Sequence, residues 1–206
     1  MEEQAVVIVV AGDAQARRSL LVRVKGFGLP VRPCHSAEEF LSLALPAGGG
    51  CILLDVSQPA ADLELLRRLG PDGHWPVVAV SDRASVATAV RAMKLGAWDF
   101  LEASCPDRRL AKVLKEAFCW EAEHRRRITL VARTRRRLAL LNDGCRQVLE
   151  MLVDGRSNRQ MAEELALSVR AVEERRAKVM HTMRARSLAE LVRLFLLADG
   201  AERGQR

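Results

Sequence analysis

No C-x-x-C pair occurs in this chain of 206 residues. Its five cysteines (Cys34, Cys51, Cys105, Cys119 and Cys145) stand singly, and its four histidines are equally dispersed. That pattern excludes a disulfide framework and a zinc site of the usual spacing, and it fits reduced thiols in a cytoplasm. No metal cluster and no cofactor are expected. No apolar run reaches the length of a membrane span. Residues 5–11 (AVVIVVA) follow an acidic Met1-Glu2-Glu3-Gln4 and read as neither a span nor a signal peptide. A phosphate-cradling glycine loop is missing as well. Gly48-Gly49-Gly50 precedes an apolar run, whereas such a loop follows a strand and opens a helix, so the triplet reads as a flexible loop. With neither that loop nor a nucleophile–base pair, the chain is not expected to be an enzyme.

Hydrophobic residues make up 49% of the chain, enough for a packed core and too many for wholesale disorder. The formal charge of +7 is unevenly placed: residues 1–118 hold 14 basic and 14 acidic side chains, and residues 119–206 hold 19 and 12. A neutral front and a basic back predict two domains, the second with a polyanionic partner. The expected division is residues 1–118, a basic helical linker over 119–141, and a second domain over 142–206.

In the first part, apolar runs at 5–11, 30–34, 51–56, 76–80 and 98–102 alternate with helical patterns near 14–26, 37–45, 61–69, 84–95 and 107–118. Ser36 followed by Glu39 reads as a capping box, and Gly96 as a residue just past a helix end. Alternating units with fully apolar strands predict a doubly wound, five-stranded parallel sheet covered on both faces. Function in such sheets gathers at the carboxyl ends of the strands, which here are Ala11-Gly12, Asp55, Ser81 and Ala103. Trp98 and Phe100 are expected to share one side of the fifth strand, either as local packing or as a dimer anchor.

Asp55 closes the apolar run Cys51-Ile52-Leu53-Leu54-Asp55, Pro59 follows four residues on, and Ser81 ends the fourth run. With "AMKLGAWDFLE" at 92–102, this part resembles the receiver domain of two-component response regulators, a flavodoxin-like fold. The resemblance implies that Asp55 is the position that accepts a phosphoryl group from a histidine kinase, with Ser81 and Phe100 at switch positions. It also implies a Mg²⁺ held by an acidic pair after the first strand, and a lysine after the fifth. Those positions are Ala11, Gly12 and Ala103 here, so the expectation is a receiver that works without phosphorylation. Asp55 is then a carboxylate at a strand end, bonded to Ser81 or to loop amides.

Residues 119–137 (CWEAEHRRRITLVARTRRR) contain no glycine or proline and can continue the preceding helix outward. Their arginines are read either as a solvated face or as contacts to DNA phosphates. Beyond 142 the pattern is helical throughout. Cys145, Val148, Leu149 and Leu152 form one apolar face, and Ser157 with Gln160 caps the next helix. A turn at 166–168 leads to a helix from about 169 to 183, which is expected to bury Val172, Val179 and Met183. Two short helices across a tight turn describe a helix-turn-helix. The lines "GRSNRQMAEELALSVRAVEERRAKVMHTM" (155–183) and "RSLAELVRL" (186–194) resemble the LuxR/FixJ-type DNA-binding domain. The resemblance implies an all-α domain of four helices in which Glu173, Glu174, Ala177 and Lys178 face double-stranded DNA. Arg159, Arg170, Arg175 and Arg176 would lie near phosphates.

The expected protein is a cytoplasmic transcriptional regulator acting as a homodimer, with a histidine kinase or another regulatory protein as partner and no membrane contact. Two alternatives stay open. One is a phosphotransfer protein still using Asp55, and the other is an interaction module with weakened DNA binding.

Overall fold

The structure, a computed structural model, describes residues 5–69 and 75–203; the acidic start at 1–4 lies outside them. Five strands, β1 (Val6–Val10), β2 (Val31–Cys34), β3 (Gly50–Asp55), β4 (Val77–Ser81) and β5 (Asp99–Glu102), form one parallel sheet in the order β2-β1-β3-β4-β5. Between them run α1 (Ala14–Gly26), α2 (Ala37–Ser42), α3 (Pro59–Leu69) and α4 (Val86–Lys94), and α5 (Asp107–Ala139) follows. Successive strand residues point to opposite faces, so the apolar runs feed two cores. Ile8, Ile52, Leu54 and Ala79 pack with Phe40 and Leu66 on one face. Val7, Val9, Leu53 and Val78 pack with Leu20, Val24 and Leu114 on the other.

Ser36 and Gly96 mark helix ends as the sequence predicts, and other local signals emerge only in the structure. Asp13, Ser36 and Ser85 cap α1, α2 and α4, each accepting from the backbone N–H three residues on. The Ser36 box does not close on itself, because the Glu39 carboxylate accepts instead from the His35 backbone N–H at 2.6 Å. Helix α2 stops at Ser42 rather than 45, with Leu43 already in extended geometry (φ −76°, ψ 135°). Pro59 opens α3 as its first residue, a position where the missing N–H costs nothing. Gly96 takes φ +98° just past α4, as a helix-ending glycine should.

Two expectations fail. Trp98 packs into the core on the α1 side, whereas Phe100 packs into the core on the α2 side. β5 begins only at Asp99, so strand alternation does not reach Trp98. The glycine triplet is not merely a flexible loop. Gly50 pairs with Val6 in the sheet, where a Cβ would run into the Val6 carbonyl and the Trp75 ring. Gly49, at φ +81°, leaves room for the Glu121 carboxylate of α5. Glu121 is 2% exposed and pairs with Arg125 at 3.0 Å, and Arg125 donates to the carbonyls of Ala47 (3.1 Å) and Gly48 (3.2 Å).

The chain divides into two compact units, Met1–Arg125 and Arg126–Arg206. Helix α5 runs unbroken through the expected boundary between 118 and 119 and ends at Ala139, just short of the expected start of the second domain at 142. In the second unit, α6 (Asp143–Val153), α7 (Asn158–Glu164), α8 (Val169–Met183) and α9 (Leu188–Arg203) surround a core of Leu149, Met161, Val172, Val179, Met183 and Leu191. Asn142, Ser157 and Ser168 cap α6, α7 and α8, and the Ser157–Gln160 box closes in both directions. The turn into α8 carries Ala166 at φ +52°, the left-handed step that folds one short helix against the next.

Candidate functional site

The strand order reverses between β1 and β3, and Asp55 ends β3 at that switch point. Its side chain is 7% exposed. Oδ1 accepts from the Ser57 backbone N–H at 3.1 Å and from the Ser57 hydroxyl at 2.6 Å. The Ser57 hydroxyl oxygen in turn accepts from the Asp82 backbone N–H at 3.4 Å. Ser81 is buried and takes no part in this, since its hydroxyl oxygen accepts from the Arg83 N–H at 3.2 Å. Of the two bonding partners expected for Asp55, the loop amide is present and Ser81 is engaged elsewhere.

Asp55 borders two hollows. The larger, about 340 Å³, is also lined by Asp13, Ser57, Asp82 and Ala103, and its charged lining residues are all acidic. The smaller, about 160 Å³, lies against Ala11, Gly12, His35 and Glu38. Two arginines of α1 lie nearby, and both serve backbone. Arg17 Nη1 donates to the Ala11 carbonyl at 2.7 Å, with the Gly12 carbonyl at 3.3 Å. Arg23 donates to the carbonyls of Ala103 (2.8 Å) and Cys105 (2.6 Å) and to the Asp107 carboxylate (2.7 Å), clamping the loop after β5. Burial alone would lower the pKa of this guanidinium. The Asp107 and Cys105 contacts outweigh burial and hold it above its ordinary value. Among the described residues, no group of three or more His, Cys, Asp or Glu side chains could hold a metal ion.

In the second unit the outer face of α8 presents Glu173, Glu174, Ala177, Lys178 and His181, all exposed. Glu174 pairs with Arg170 one turn back at 3.4 Å, and Arg159 pairs with Glu163 at 3.2 Å. Glu173 and Lys178 have no polar partner among the described residues. Arg175 and Arg176 are half-buried. The Arg175 guanidinium lies over Gly144 in the first turn of α6, where a Cβ would come within 2.7 Å of Nη1. Arg176 donates to the Asn158 side-chain oxygen at 2.9 Å, tying α8 to the start of α7. Sequence reasoning missed Ser57, Arg23 and the Glu121–Arg125 pair, whose partners other than near neighbours leave no local pattern.

A family model described as "Response regulator receiver domain" matches residues 7–115, and one described as "Bacterial regulatory proteins, luxR family" matches 145–195. The transcriptional regulatory protein FixJ of Azorhizobium caulinodans is 40% identical over 203 residues, covering 98% of this chain and 96% of the relative. FixJ of Bradyrhizobium diazoefficiens is 37% identical over 195 residues, covering 93% and 95%. Among solved structures, the response regulator StyR superposes with a TM-score of 0.77 at 28% identity, over 94% of this chain and 98% of that one. Full-length FixJ from B. japonicum gives 0.52 at 35% identity, over 95% and 97%.

A five-stranded 2-1-3-4-5 sheet with an acid at its switch point, joined in one chain to a helix-turn-helix, thus finds its counterparts among DNA-binding response regulators. The chain belongs to the response regulators of the LuxR/FixJ type, which regulate transcription. No helix of the described residues is long and apolar enough to cross a membrane.

Proposed function

We propose that this regulator binds double-stranded DNA as a homodimer and does so without an aspartyl-phosphate switch. One observation carries the second half: every charged side chain lining the cleft at Asp55 is a carboxylate. Moving a phosphoryl group onto an aspartate requires cations to neutralise its oxygens. Mg²⁺ takes a near-octahedral shell of oxygens. Ala11 and Gly12 offer no side-chain oxygen, and Asp13 uses Oδ1 to cap α1 through the Ala16 N–H at 2.7 Å. The residues present do not fit that metal. The position after β5 is Ala103, and Arg17 and Arg23 are both tied to carbonyl oxygens.

Acetyl phosphate with Mg²⁺ tests this reading. The expected result is an unchanged intact mass and an unchanged affinity for DNA, with Asp55→Asn behaving as wild type. A stoichiometric aspartyl-phosphate on Asp55 overturns it in favour of ordinary phosphotransfer from a histidine kinase.

For DNA, α8 enters the major groove. Glu173 accepts a hydrogen bond from cytosine N4, and Lys178 meets phosphate. Arg159 and Arg170 reach phosphates from the rim, whereas Arg175 and Arg176 position α8 against α6 and α7. Pairing of receivers is supported by the exposed apolar stripe Val86, Val90 and Met93 on α4. Such pairing raises the effective concentration of the second DNA-binding unit at a two-part site. A protein partner that covers or frees that stripe would then be the input.

A further inference from the structure

Seven arginines lie between residues 125 and 137, and the structure sorts them by what they touch. Arg125 donates to Ala47 and Gly48, Arg135 to the Ala198 carbonyl at 3.3 Å, and Arg137 to the Met183 carbonyl at 3.0 Å. Arg126, Arg127, Arg133 and Arg136 are exposed and have no polar partner among the described residues. Three of these, Arg126, Arg133 and Arg136, stand at i, i+7 and i+10. At 3.6 residues per turn they fall within an arc of about 80°, and at 1.5 Å per residue they span about 15 Å.

Glu123 stands one turn before Arg126 without pairing with it, and no Asp or Glu occurs from there to Asp143, so Arg133 and Arg136 have nothing on their own helix to neutralise them. A different side carries Thr134, which is fully buried. The segment is also held to the DNA-binding helices. Met183, whose carbonyl Arg137 grips, is the last residue of α8, and Ala198, gripped by Arg135, lies in α9. All of these groups belong to one compact unit. A row of unneutralised guanidiniums at fixed spacing, rigidly joined to a recognition helix, is complementary to a regular line of phosphates.

We propose that Arg126, Arg133 and Arg136 form a second, sequence-independent contact with duplex DNA phosphates, beside the groove that receives α8. The proposal rests on the DNA-binding reading above and adds a surface to it.

The test uses the full chain and a mixed-sequence DNA duplex, with affinity followed by anisotropy over a range of salt. The triple variant Arg126→Gln/Arg133→Gln/Arg136→Gln removes charge while keeping helix propensity. Its log–log salt slope should be shallower than wild type by about 0.9 per lost contact, about 2.7 in all. The triple Arg→Lys variant should keep the wild-type slope, and matching circular dichroism melts should show that both variants fold. Wild-type binding with an unchanged slope in the Gln variant overturns the proposal and leaves the helix-turn-helix reading standing. So does an unchanged slope together with lost binding to vesicles of anionic phospholipid, which would assign the stripe to a lipid surface. Absence of duplex binding by the wild type, with Lys178→Ala also without effect, overturns the reading and the proposal together.

Discussion

At the carboxyl end of the sheet, Arg17 and Arg23 both turn onto carbonyl oxygens, and Asp55 accepts two bonds from Ser57 through one oxygen. On α8, Glu173 and Lys178 stand in solvent with no polar partner among the described residues. Both regions are rich in charge, yet at the sheet end both arginines are committed, whereas Glu173 and Lys178 are not. A charged group whose bonds are made within the fold must break them to meet a ligand, and that cost opposes binding. An exposed group with no partner has only water to lose. The commitment of a side chain therefore says more about function than its presence does, and it separates a strand-end cleft that keeps its shape from a helix face free to bind.

The comparison can be tested hardest by removing the core under the binding face. Met161 is fully buried in the second unit, and Met161→Ala should cost about 2–5 kcal/mol through lost contacts and a cavity. The three tryptophans, Trp75, Trp98 and Trp120, all belong to the first unit. In urea, far-UV circular dichroism should show the helical unit unfolding earlier while tryptophan fluorescence keeps its midpoint. Equal shifts in both signals would mean that the two regions are one cooperative unit.

Base reading comes next. Glu173→Ala should erase about 1–3 kcal/mol of discrimination at one position of each half-site while leaving nonspecific affinity equal or higher. Glu174→Ala should have a smaller effect, because its carboxylate is already paired with Arg170. Selection of preferred sites from a random pool by each variant measures this. An unaltered consensus from Glu173→Ala would make that face a solvated one.

A smaller effect is expected at the glycine triplet. Arg125→Ala leaves the buried Glu121 carboxylate without its cation and should destabilise the first unit by about 1–2 kcal/mol. That is less than for a fully enclosed pair because Arg125 is itself half-exposed. Tryptophan fluorescence in urea reads the loss, and Glu121→Gln with Arg125→Ala should recover part of it.

The smallest is a pH effect. Hydrogen bonds from Arg67, then Arg68, hold the Glu64 carboxyl down to about 2. A depressed carboxyl pKa contributes stability that is present above the unfolded value near 4.5 and is lost as pH falls towards 2. Glu64→Gln should flatten that acid limb slightly, and a carbon-13 titration of the Glu64 carboxyl should show the low midpoint directly.

Most of the fold was legible because its signals are local. Ser157 announces a helix by accepting from an N–H three residues away, and strand alternation sorts the two cores without reference to distant sequence. The failures involve groups far apart in the chain or elements a residue shorter than their pattern. Nothing near Gly49 indicates that Glu121 will need its missing Cβ, since Arg125 meets the Ala47 carbonyl across 78 residues. Arg23 closes on Ala103 across 80 residues, and Arg175 on Gly144 between separate helices. Trp98 broke the period because the strand starts after it. The positions named for the site were readable by their place at strand ends and on the helix face. Which of their atoms remained available was not.

The depth at which the thiols lie has a practical consequence. Cys34, Cys51 and Cys145 are buried, and burial pushes the Cys34 and Cys51 thiols up, Cys51 far beyond its ordinary range. Cys105 is half-covered beside the Arg23 guanidinium, while Cys119 is exposed on α5. Alkylating reagents attack the thiolate and need access to it. Of the five thiols only Cys105 and Cys119 are therefore within reach, and Cys119 is the more open of the two. A maleimide dye should couple at Cys119 in the unmutated protein, seven residues before Arg126, and so report on the basic segment of α5 without any engineered label.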